Sequence, residues 1–305
     1  MPSNQSPLGA LPARFRRQRV LIIGCGDVGL RVARRLSGRV HCLALTSSAS
    51  RVEALRGHGI IPLIGNLDQA AQLQRLAGVA HRVLHLAPPP GTGAGDPRTL
   101  ALLRALRRRT LPEALVYGST SGVYGDCGGA VVTETRRLKA STPRGQRRVQ
   151  AEQAVRFFGR SAAVRASILR IPGIYASDRE GGTPRERLLR GTPVLQADDD
   201  VHTNHIHADD LARACIAALW RGAPQRVYNV NDDTVLKMGD YFDLAADLYG
   251  LPRPPRVSRQ EAGDMLSPLQ LSFMSESRRM DNHRMKAELR LRLRYPTVRE
   301  GFGGE

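Results

Sequence analysis

The stretch RVLIIGCGDVGLRVARRL, residues 19–36, predicts how the chain begins to fold. Its first five residues, 19–23, form a short apolar run of the kind that a buried strand presents. A glycine turn follows, and apolar residues then recur at the spacing of one helix face. The residues that we expect to face inward are Leu30, Val32, Ala33 and Leu36. The stretch therefore predicts a strand, a tight turn and an amphipathic helix, which is the opening unit of an α/β fold.

The same alternation of strand and helix continues to about residue 175. Apolar runs predict further strands at 40–46, 60–66, 81–87 and 114–120, then a sixth strand ending near Arg170 and one more at 227–232. Helical patterns stand between the strands, for example at 50–59 and 68–78. Such alternation predicts an α/β protein with a Rossmann-type, doubly wound parallel sheet, because parallel neighbours need crossover helices.

The patterning divides the chain into three parts. Residues 1–18 are polar and lack the apolar centre of a secretory signal, so we expect a flexible leader. Residues 19–175 are expected to form the Rossmann domain, and 201–232 to return to it. Residues 176–200 and 233–305 are less regular and predict a small C-terminal lobe that binds substrate.

Composition is that of an ordinary globular protein, with 305 residues of which 41% are hydrophobic and 24% charged. No run of about 18 apolar residues occurs, so we expect no transmembrane helix. The four cysteines, Cys25, Cys42, Cys127 and Cys215, are scattered and form no Cys-x-x-Cys pair. We therefore expect neither a disulfide framework nor a metal site, and a cytoplasmic location. Cys25 and Cys42 fall in segments predicted to be buried.

The formal net charge of +18 raises the question of nucleic-acid binding. Nearly all the positive charge is arginine, since only Lys139, Lys237 and Lys286 are lysines. The arginines are dispersed through predicted helices, without interleaved aromatic residues or a nucleic-acid-binding module. We therefore expect a charged surface, and treat a nucleic-acid partner as the less favoured alternative.

The glycine turn is a candidate dinucleotide site, because Gly24-x-Gly26-x-x-Gly29 stands between a predicted strand and a predicted helix. In such a motif Gly24 permits the tight turn, Gly26 lets the backbone approach a pyrophosphate, and Gly29 allows the helix to pack closely on the strand. The start of the helix, at Asp27 and Val28, supplies free N–H groups to the phosphates. The position of the motif predicts NAD(P) binding.

The end of the second strand favours NADP over NAD. An NAD-binding protein usually places an acid there to bind the ribose 2′-hydroxyl. Here the strand ends in Leu45-Thr46-Ser47-Ser48, and Arg51 follows. Small hydroxyl groups and an arginine suit a 2′-phosphate, with Thr46 and Arg51 as the candidate contacts. The alternative is that Arg51 is a solvated residue of the second helix.

Several further motifs occur in a fixed order. They are GNL (65–67), HLAPPP (85–90), STSGVYGD (119–126), LRIPGIYA (169–176), NHIHADDLARA (204–214), VYNVND (227–232) and YPTVREGF (295–302). Together they resemble the short-chain dehydrogenase/reductase superfamily, in particular its extended NAD-dependent epimerase/dehydratase branch. The resemblance covers residues 19–302.

The resemblance implies roles for individual residues. Thr120 matches the active-site Ser or Thr that hydrogen-bonds the reacting oxygen, and Pro172 matches the proline that lies against the nicotinamide. Asn66 replaces the acid that touches the adenine in the family. The remaining cofactor contacts implied are Leu67, Leu86 and Ala87.

The sequence departs from the family pattern in its glycine turn. The branch usually has G-x-x-G-x-x-G, whereas here Ile23 stands at the first glycine position and Gly24 is added. This variant and the GVYGD segment resemble atypical members of the superfamily, including bacterial YeeZ-like proteins.

The second departure lies in PRGQRRVQAE, residues 143–152, which matches the segment with the family's Tyr and Lys. With Gly145 and Glu152 as landmarks, Arg144 stands at the Tyr position and Arg148 at the Lys position. Arginine stays protonated near neutral pH, so neither residue can exchange a proton. Arg148 could still donate to a ribose hydroxyl or a phosphate. No Tyr-x-x-x-Lys occurs anywhere in the chain.

Two tyrosines are candidate substitutes for the missing acid. Tyr124 is the tyrosine nearest the inferred nicotinamide site and is the candidate proton donor, with packing beneath the loop as the alternative. Tyr175 is a weaker candidate of the same kind. Glu134 is expected to fix a loop.

The densest group of possible metal ligands is a histidine and aspartate cluster. Its members are His202, His205, His207, Asp209 and Asp210. Two histidines one residue apart on a strand point to one side, as a metal site would need. The resemblance instead implies a structural use, in which Asp209 or Asp210 caps the next helix, and we expect no metal.

These observations predict an NAD(P)-binding oxidoreductase or epimerase/dehydratase with an unidentified small-molecule substrate, either a nucleotide sugar or a small carbonyl or hydroxyl compound. The alternative is a non-catalytic dinucleotide sensor or scaffold. A homodimer is a further expectation, and no membrane partner is expected.

Overall fold

The computed structural model of the chain describes residues 17–303. All but the last two residues of the predicted leader, 1–18, lie outside these described residues. The strands are β1 (Arg19–Ile23), β2 (His41–Thr46), β3 (Ile61–Ile64), β4 (Arg82–His85), β5 (Ala114–Thr120), β6 (Val131–Val132), β7 (Arg165–Ile171), β8 (Gly173–Tyr175), β9 (Val194–Leu195), β10 (His202–Thr203), β11 (His205–His207), β12 (Arg226–Asn229), β13 (Leu236–Lys237), β14 (Arg256–Val257) and β15 (Arg279–Met280).

The helices connect and cover these strands. They are α1 (Asp27–Leu36), α2 (Val52–Gly57), α3 (Pro97–Leu106), α4 (Pro143–Ser161), α5 (Arg185–Leu189), α6 (Ala208–Arg221), α7 (Met238–Tyr249), α8 (Arg259–Met265), α9 (Pro268–Phe273), α10 (His283–Glu288) and α11 (Val298–Phe302). Short 3-10 helices lie at Ala49–Arg51, Ala70–Leu76 and Ser121–Tyr124.

Seven strands form one parallel sheet in the order β12-β7-β5-β4-β1-β2-β3. This order confirms the predicted doubly wound α/β fold. The direction of winding reverses between β1 and β4, so the chain leaves their carboxyl ends on opposite faces of the sheet. Such a switch point opens a crevice at the sheet edge, where α/β proteins bind their ligands.

Alternate residues of β1 show how the two faces of the sheet are covered. Val20 and Ile22 pack in an apolar cluster that includes residues of α1 and α6. Leu21 and Ile23 pack in a second cluster, with residues of α3 and α4. All four side chains are fully buried, so the apolar run predicted at 19–23 is the centre of the three-layer core.

The helix predictions hold with two refinements. In α1 the side chains of Val32, Ala33 and Leu36 are buried as predicted, whereas Leu30 is half-buried. The helix predicted at 68–78 is a 3-10 helix over Ala70–Leu76. Its two buried leucines, Leu73 and Leu76, are three residues apart, which matches the 3-10 repeat.

The C-terminal part of the chain builds a separate apolar cluster. Its members include Leu188, Val194, Phe242, Met274 and Phe302. Two-stranded pairs, β9 with β14 and β10 with β13, connect segments far apart in the chain. The region from 235 to 300 is rich in short helices and loops, as expected, and the exact domain boundaries stay a prediction.

Two further sequence expectations can be compared with the structure. Cys25 and Cys42 are buried, which confirms that part of the prediction. Within residues 17–303, no helix is both long enough and apolar enough to cross a membrane.

Candidate functional site

The three glycines of the turn after β1 differ in their surroundings. Gly24 has a φ of +85°, and a Cβ there would lie 2.4 Å from the backbone N of Ala87 at the end of β4. A Cβ built at Gly29 would lie 3.2 Å from Cγ2 of Ile22, so the absence of a side chain there allows α1 to pack closely on β1. These contacts confirm the turn and packing roles. At Gly26 a Cβ would meet no atom within 4 Å, so the described structure leaves space beside the backbone at the head of α1.

The first turn of α1 carries an acid that is neutralised by arginines. Oδ1 of Asp27 accepts a hydrogen bond of 2.9 Å from Nε of Arg31, and Nε of Arg179 lies 3.6 Å from Oδ2. Arg31 also pairs with Asp178 and Asp209. Burial lowers the pKa of Arg31, but the hydrogen bonds that Arg31 donates to these carboxylates outweigh burial and raise it. The negative charge of Asp27 is thus balanced where an anion would approach. Val28, beside it, is half-buried against the core.

The end of β2 and the 3-10 turn after it carry the two candidate 2′-phosphate contacts, Thr46 and Arg51. Oγ1 of the buried Thr46 lies 3.3 Å from both the backbone N and O of Ser48. The exposed Arg51 extends from the 3-10 turn and donates through Nη2 to the carbonyl oxygen of Cys25, at 2.6 Å. The guanidinium of Arg51 therefore lies beside the glycine turn, so the alternative of a freely solvated side chain does not describe it.

The ends of β3 and β4 lie along the same edge of the sheet. Oδ1 of Asn66 accepts a hydrogen bond from N of Asp68 at 3.0 Å, which closes the loop after β3. Leu67 is half-buried, and Ala87 is buried against the glycine turn. Leu86 is half-buried between the neighbouring strands β4 and β5, since a Cβ at Gly118 would lie 2.9 Å from its Cδ2.

Thr120 is the last residue of β5 and is half-buried. Its Oγ1 accepts a hydrogen bond of 3.3 Å from N of Gly122 and so caps the 3-10 helix that follows. A Cβ at Gly145 would lie 2.9 Å from O of Gly122, so the first turn of α4 packs directly on this helix. Thr120 pairs in register with Ile171, which places Pro172 beside it. The structure thus brings together Thr120, Pro172 and the start of α4.

Arg144 and Arg148 extend from the first turns of α4 toward this region. Nη1 of Arg148 donates to the hydroxyl of Tyr117 at 2.9 Å and to O of Gly118 at 2.7 Å. Arg144 is an exposed residue, and its guanidinium lies over the ring of Phe273, with 5.5 Å between Cζ and the ring centroid. A role of Arg148 in cofactor binding stays a prediction.

Tyr124 does not lie at an accessible position, contrary to the expectation that it acts as a proton donor. Its side chain is 1% exposed. Its hydroxyl donates to Oδ1 of Asn229 at 2.6 Å and accepts from Nη1 of Arg170 at 2.9 Å. Burial raises the pKa of Tyr124, which further disfavours proton release. Tyr175 is likewise buried, and its hydroxyl donates to O of Thr297 at 3.2 Å.

A buried network holds α4 on the sheet behind the site. Nη2 of Arg170 donates to Oε2 of Glu152 at 2.8 Å, and Nε donates to Oε1 at 3.1 Å. Oε1 also accepts from Oγ of Ser119 at 2.6 Å. Nearby, Oε1 of Glu134 accepts from the backbone N of Asn229 at 3.0 Å, so Glu134 fixes the chain as expected. The glutamate landmark of the family segment therefore has a structural role here.

The histidine cluster is occupied by packing interactions. His205 stacks on Tyr241 with ring centroids 4.1 Å apart, and His207 stacks on Tyr295 at 3.8 Å. Burial lowers the pKa of His205 to about 3. Among residues 17–303, no group of histidine, cysteine and acidic side chains is arranged to hold a metal ion.

The expected helix cap at Asp209 or Asp210 is wrong. The N-cap of α6 is His207, whose Nδ1 accepts from the backbone N of Asp209 at 3.1 Å. Both aspartates are used elsewhere, since Asp209 pairs with Arg31 and Oδ2 of Asp210 accepts from N of Tyr295 at 2.8 Å. Sequence alone could not separate these uses, because each depends on residues far away in the chain.

Two residues near the site were not found from the sequence. Arg179 extends from the loop after β8 to the head of α1, as described above. The second residue is Glu276, from the C-terminal lobe. Its Oε2 would lie 4.0 Å from a Cβ built at Gly122, and it accepts hydrogen bonds of 2.9 Å from Arg278. Neither residue belongs to a recognisable motif, so only the folded structure could place them.

Comparison with known proteins agrees with this geometry. The family model of the NAD dependent epimerase/dehydratase family matches residues 20–231. A conserved protein of unknown function from Silicibacter pomeroyi DSS is 31% identical, with a TM-score of 0.79, over 94% of this chain and 97% of that chain. No curated protein matches the sequence.

Two solved structures of lower identity share the fold. The UDP-glucose 4-epimerase of Thermotoga maritima, solved with UDP-glucose, is 19% identical, with a TM-score of 0.78, over 93% of this chain and 96% of that chain. The UDP-glucuronic acid 4-epimerase of Bacillus cereus, solved in complex with NAD, is 17% identical, with a TM-score of 0.74, over 94% of this chain and 97% of that chain.

Proposed function

Because the chain belongs to the NAD-dependent epimerase/dehydratase family, we propose that it is an oxidoreductase that binds NADP at the glycine turn. Its substrate is a small molecule with a hydroxyl or carbonyl group, such as a nucleotide sugar. A cytoplasmic location, a homodimer and a closer relation to YeeZ-like proteins stay predictions.

The observation that carries the proposal is the open space at Gly26. Gly24 and Gly29 are needed for the fold itself, because a Cβ at either position meets neighbouring atoms closely. At Gly26 nothing described lies within 4 Å of such a Cβ, so the fold does not require glycine there. A pyrophosphate that approaches the backbone and the N-terminus of α1 would require it.

The surrounding residues fit a dinucleotide. Backbone N–H groups at Asp27 and Val28 would hold the pyrophosphate, and Arg51 with Thr46 would hold a 2′-phosphate. The adenine would lie near Asn66 and Leu67, and the nicotinamide near Pro172. When bound, the nicotinamide supplies hydride transfer.

Thr120 would act on the reacting oxygen of the substrate. Its Oγ1 already accepts a hydrogen bond from Gly122, so its hydroxyl proton is available to donate. Arg148 remains protonated and favours negative charge nearby, but it does not exchange a proton. The proton of the reaction would then come from the substrate or from water.

Replacement of Gly26 by alanine tests the cofactor site. We expect Gly26→Ala to fold with unchanged melting temperature and to lose NADPH binding by at least about tenfold, because the methyl group occupies the space of the pyrophosphate. Gly57→Ala is the matched control, since a Cβ there also meets no described atom. Equal NADPH dissociation constants for both variants and the unaltered chain would contradict the assignment.

Turnover tests the catalytic part of the proposal. We expect slow NADPH oxidation with some member of a panel of carbonyl compounds and 4-keto nucleotide sugars. Thr120→Ala should lower kcat by roughly 100-fold, because the hydrogen bond that stabilises negative charge on the reacting oxygen is lost. Thr110→Ala, at an exposed threonine, serves as the control.

A second candidate function is a non-catalytic dinucleotide sensor. It is favoured by the arginines at positions 144 and 148 and by the burial of Tyr124, which leave the usual proton-transfer pair without a counterpart. NADPH binding without turnover of any compound in the panel, and no effect of Thr120→Ala, would favour this function over the first.

A further inference from the structure

In the described structure, the three arginines in the first turns of α4 contact neutral groups. Arg148 donates to the Tyr117 hydroxyl and to O of Gly118. The buried Arg147 donates through Nη1 to O of Gly93 at 3.0 Å. Arg144 contacts the ring of Phe273. None of these partners balances a positive charge.

Two acids near these arginines, Glu276 and Glu152, are paired with other cations. Oε2 of Glu276 accepts two hydrogen bonds of 2.9 Å from Arg278. Both carboxylate oxygens of Glu152 accept from Arg170. Within the described part of the chain, no carboxylate forms an ion pair with Arg144 or Arg148.

The positive charges of the exposed Arg144 and the half-exposed Arg148 act on each other. Loss of solvent around its guanidinium lowers the pKa of Arg144, and the positive charge of Arg148 lowers it further, whereas Glu276 raises it. Arg144 nevertheless stays protonated at neutral pH. Two like charges held close together, with Glu276 and Glu152 paired elsewhere, attract an anion.

The positive charge of Arg148 lies close to Thr120, the residue that would act on the reacting oxygen. Arg148 reaches O of Gly118, two residues before Thr120 on the same strand. The first turn of α4 packs on the 3-10 helix that Thr120 caps, as the close approach of Gly145 to Gly122 shows.

We propose that Arg144 and Arg148 form a binding site for an anionic oxygen group of the substrate, a carboxylate or a phosphate, beside Thr120. This proposal rests on the proposed function and makes its substrate class more specific. The ring of Phe273 supports one face of the Arg144 guanidinium, which leaves its edge N–H groups free for a planar or bidentate contact. Arg148 adds a second positive charge one helical turn further along α4.

Calorimetric titration of the full chain with malonate and with inorganic phosphate tests the site. Saturating NADPH is present in one series, so that its own phosphates occupy the glycine turn and Arg51. We expect one anion per chain, and roughly 10- to 100-fold weaker binding in Arg144→Gln, which is the usual effect of losing a charged hydrogen bond. Arg144→Lys should retain part of the affinity. Comparison of the two probes separates a carboxylate site from a phosphate site.

Arg160→Gln is the matched control, because Arg160 is exposed at the other end of the same helix and the variant loses the same charge. It should bind both probes like the unaltered chain. Arg148→Gln should weaken anion binding as Arg144→Gln does, and the melting temperature of this variant reports whether the fold is kept. Arg144 is exposed, so Arg144→Gln alone decides the matter if Arg148→Gln does not fold.

The proposal is overturned if Arg144→Gln binds both probes as tightly as the unaltered chain, or if neither probe binds at all. NADPH binding in the same preparations would then leave the proposed function intact. If NADPH itself does not bind, the proposed function fails, and the titration of the free chain in an Arg51→Gln background still decides for or against the anion site.

Discussion

At the scale of single residues, Asp232 shows how strongly its surroundings act on one side chain. It follows β12 at the border between the sheet and the C-terminal lobe, and it is 1% exposed. Burial raises its pKa to about 7, although a hydrogen bond from N of Thr234 to Oδ1, at 3.0 Å, favours the charged form. The folded chain therefore holds a proton on Asp232 at pH values where the unfolded chain has released it.

This proton predicts a pH dependence of stability. Because the folded pKa is raised, the contribution of Asp232 is fully present below about pH 4 and is lost as the pH rises toward about 7. Asn cannot ionise, so the Asp232→Asn variant does not show this loss. The unfolding free energy of the variant minus that of the unaltered chain should therefore increase from pH 5 to pH 7, by at most about 1.4 kcal/mol per pH unit.

Urea denaturation at pH 5, 6, 7 and 8 measures this difference. The buried His85 and His205 have pKa values lowered to about 3, so they act in the opposite direction, losing stability as the pH falls below about 6.5. Their effect is common to both chains and cancels in the comparison. Parallel pH profiles of the two chains would show that Asp232 ionises normally.

Arg51 is the residue that we expect to select NADPH over NADH. It donates to the carbonyl of Cys25, so its charge lies beside the inferred 2′-phosphate position. We expect Arg51→Gln to weaken NADPH binding by roughly 10- to 100-fold and NADH binding much less. Arg56→Gln, in α2 and largely exposed, should leave both dissociation constants unchanged. An equal loss for both cofactors would show that Arg51 supports the turn and does not read the phosphate.

Sequence predicted residue roles where one local rule decides them. The glycines of the turn follow from backbone geometry and close packing, and both are visible in the spacing of the motif. From the sequence, Tyr124 is a candidate acid with packing beneath the loop as the alternative. The structure favours packing, through the partners Asn229 and Arg170 that only the folded sheet brings to it. The cap of α6 was assigned to the wrong residue for the same kind of reason.

At the scale of elements, the buried pair between α4 and β7 holds the site together. Glu152 and Arg170 are each at most 2% exposed and share two hydrogen bonds. The pair fixes the helix that carries Arg144 and Arg148 against the strand that leads into Pro172. Its structural role explains why the glutamate of this segment can be present without the Tyr and Lys of the family.

Removal of one partner of the Glu152–Arg170 pair should lower the stability of the fold. We expect Glu152→Ala to lower the unfolding free energy by about 3–5 kcal/mol, because Arg170 is left buried and unpaired. Glu53→Ala, which removes an exposed partner of Arg56 at 3.7 Å, should change it by less than about 1 kcal/mol. Urea denaturation compares them, and similar small losses for both variants would contradict the structural role.

The strands of the main sheet could be predicted because apolar runs bounded by turns are local signals. The strand β5, for example, has the predicted bounds of 114–120. The two-residue strands could not be predicted, since β6 pairs with β15 across almost half the chain. The helix type of Ala70–Leu76 could not be predicted, because a short apolar pattern does not separate 3-10 from α geometry.

At the scale of the whole molecule, the net charge of +18 is distributed over many elements. Several arginines are paired with acids on other elements, for example Arg31 with Asp209 and Arg226 with Glu288. Such pairing removes charge that would otherwise contact a nucleic acid. The fold and the order of the motifs therefore explain more of the sequence than its charge does.

This distribution predicts weak binding of nucleic acid. We expect no saturable binding of a short DNA duplex at about 150 mM salt, since dispersed and paired arginines release few counterions. Fluorescence anisotropy at several salt concentrations measures this. Tight binding with a steep dependence on salt concentration would restore a nucleic-acid partner as a function.

The central claim is that the glycine turn at 24–29 binds NADP. Calorimetric titration of the full chain with NADPH and with NADH tests it most directly. We expect one site per chain for NADPH and a weaker affinity for NADH, because Arg51 and Thr46 stand where an NAD-binding protein has an acid. Failure of both dinucleotides to saturate the chain at millimolar concentration would contradict the claim, and tighter binding of NADH would overturn the choice of NADP.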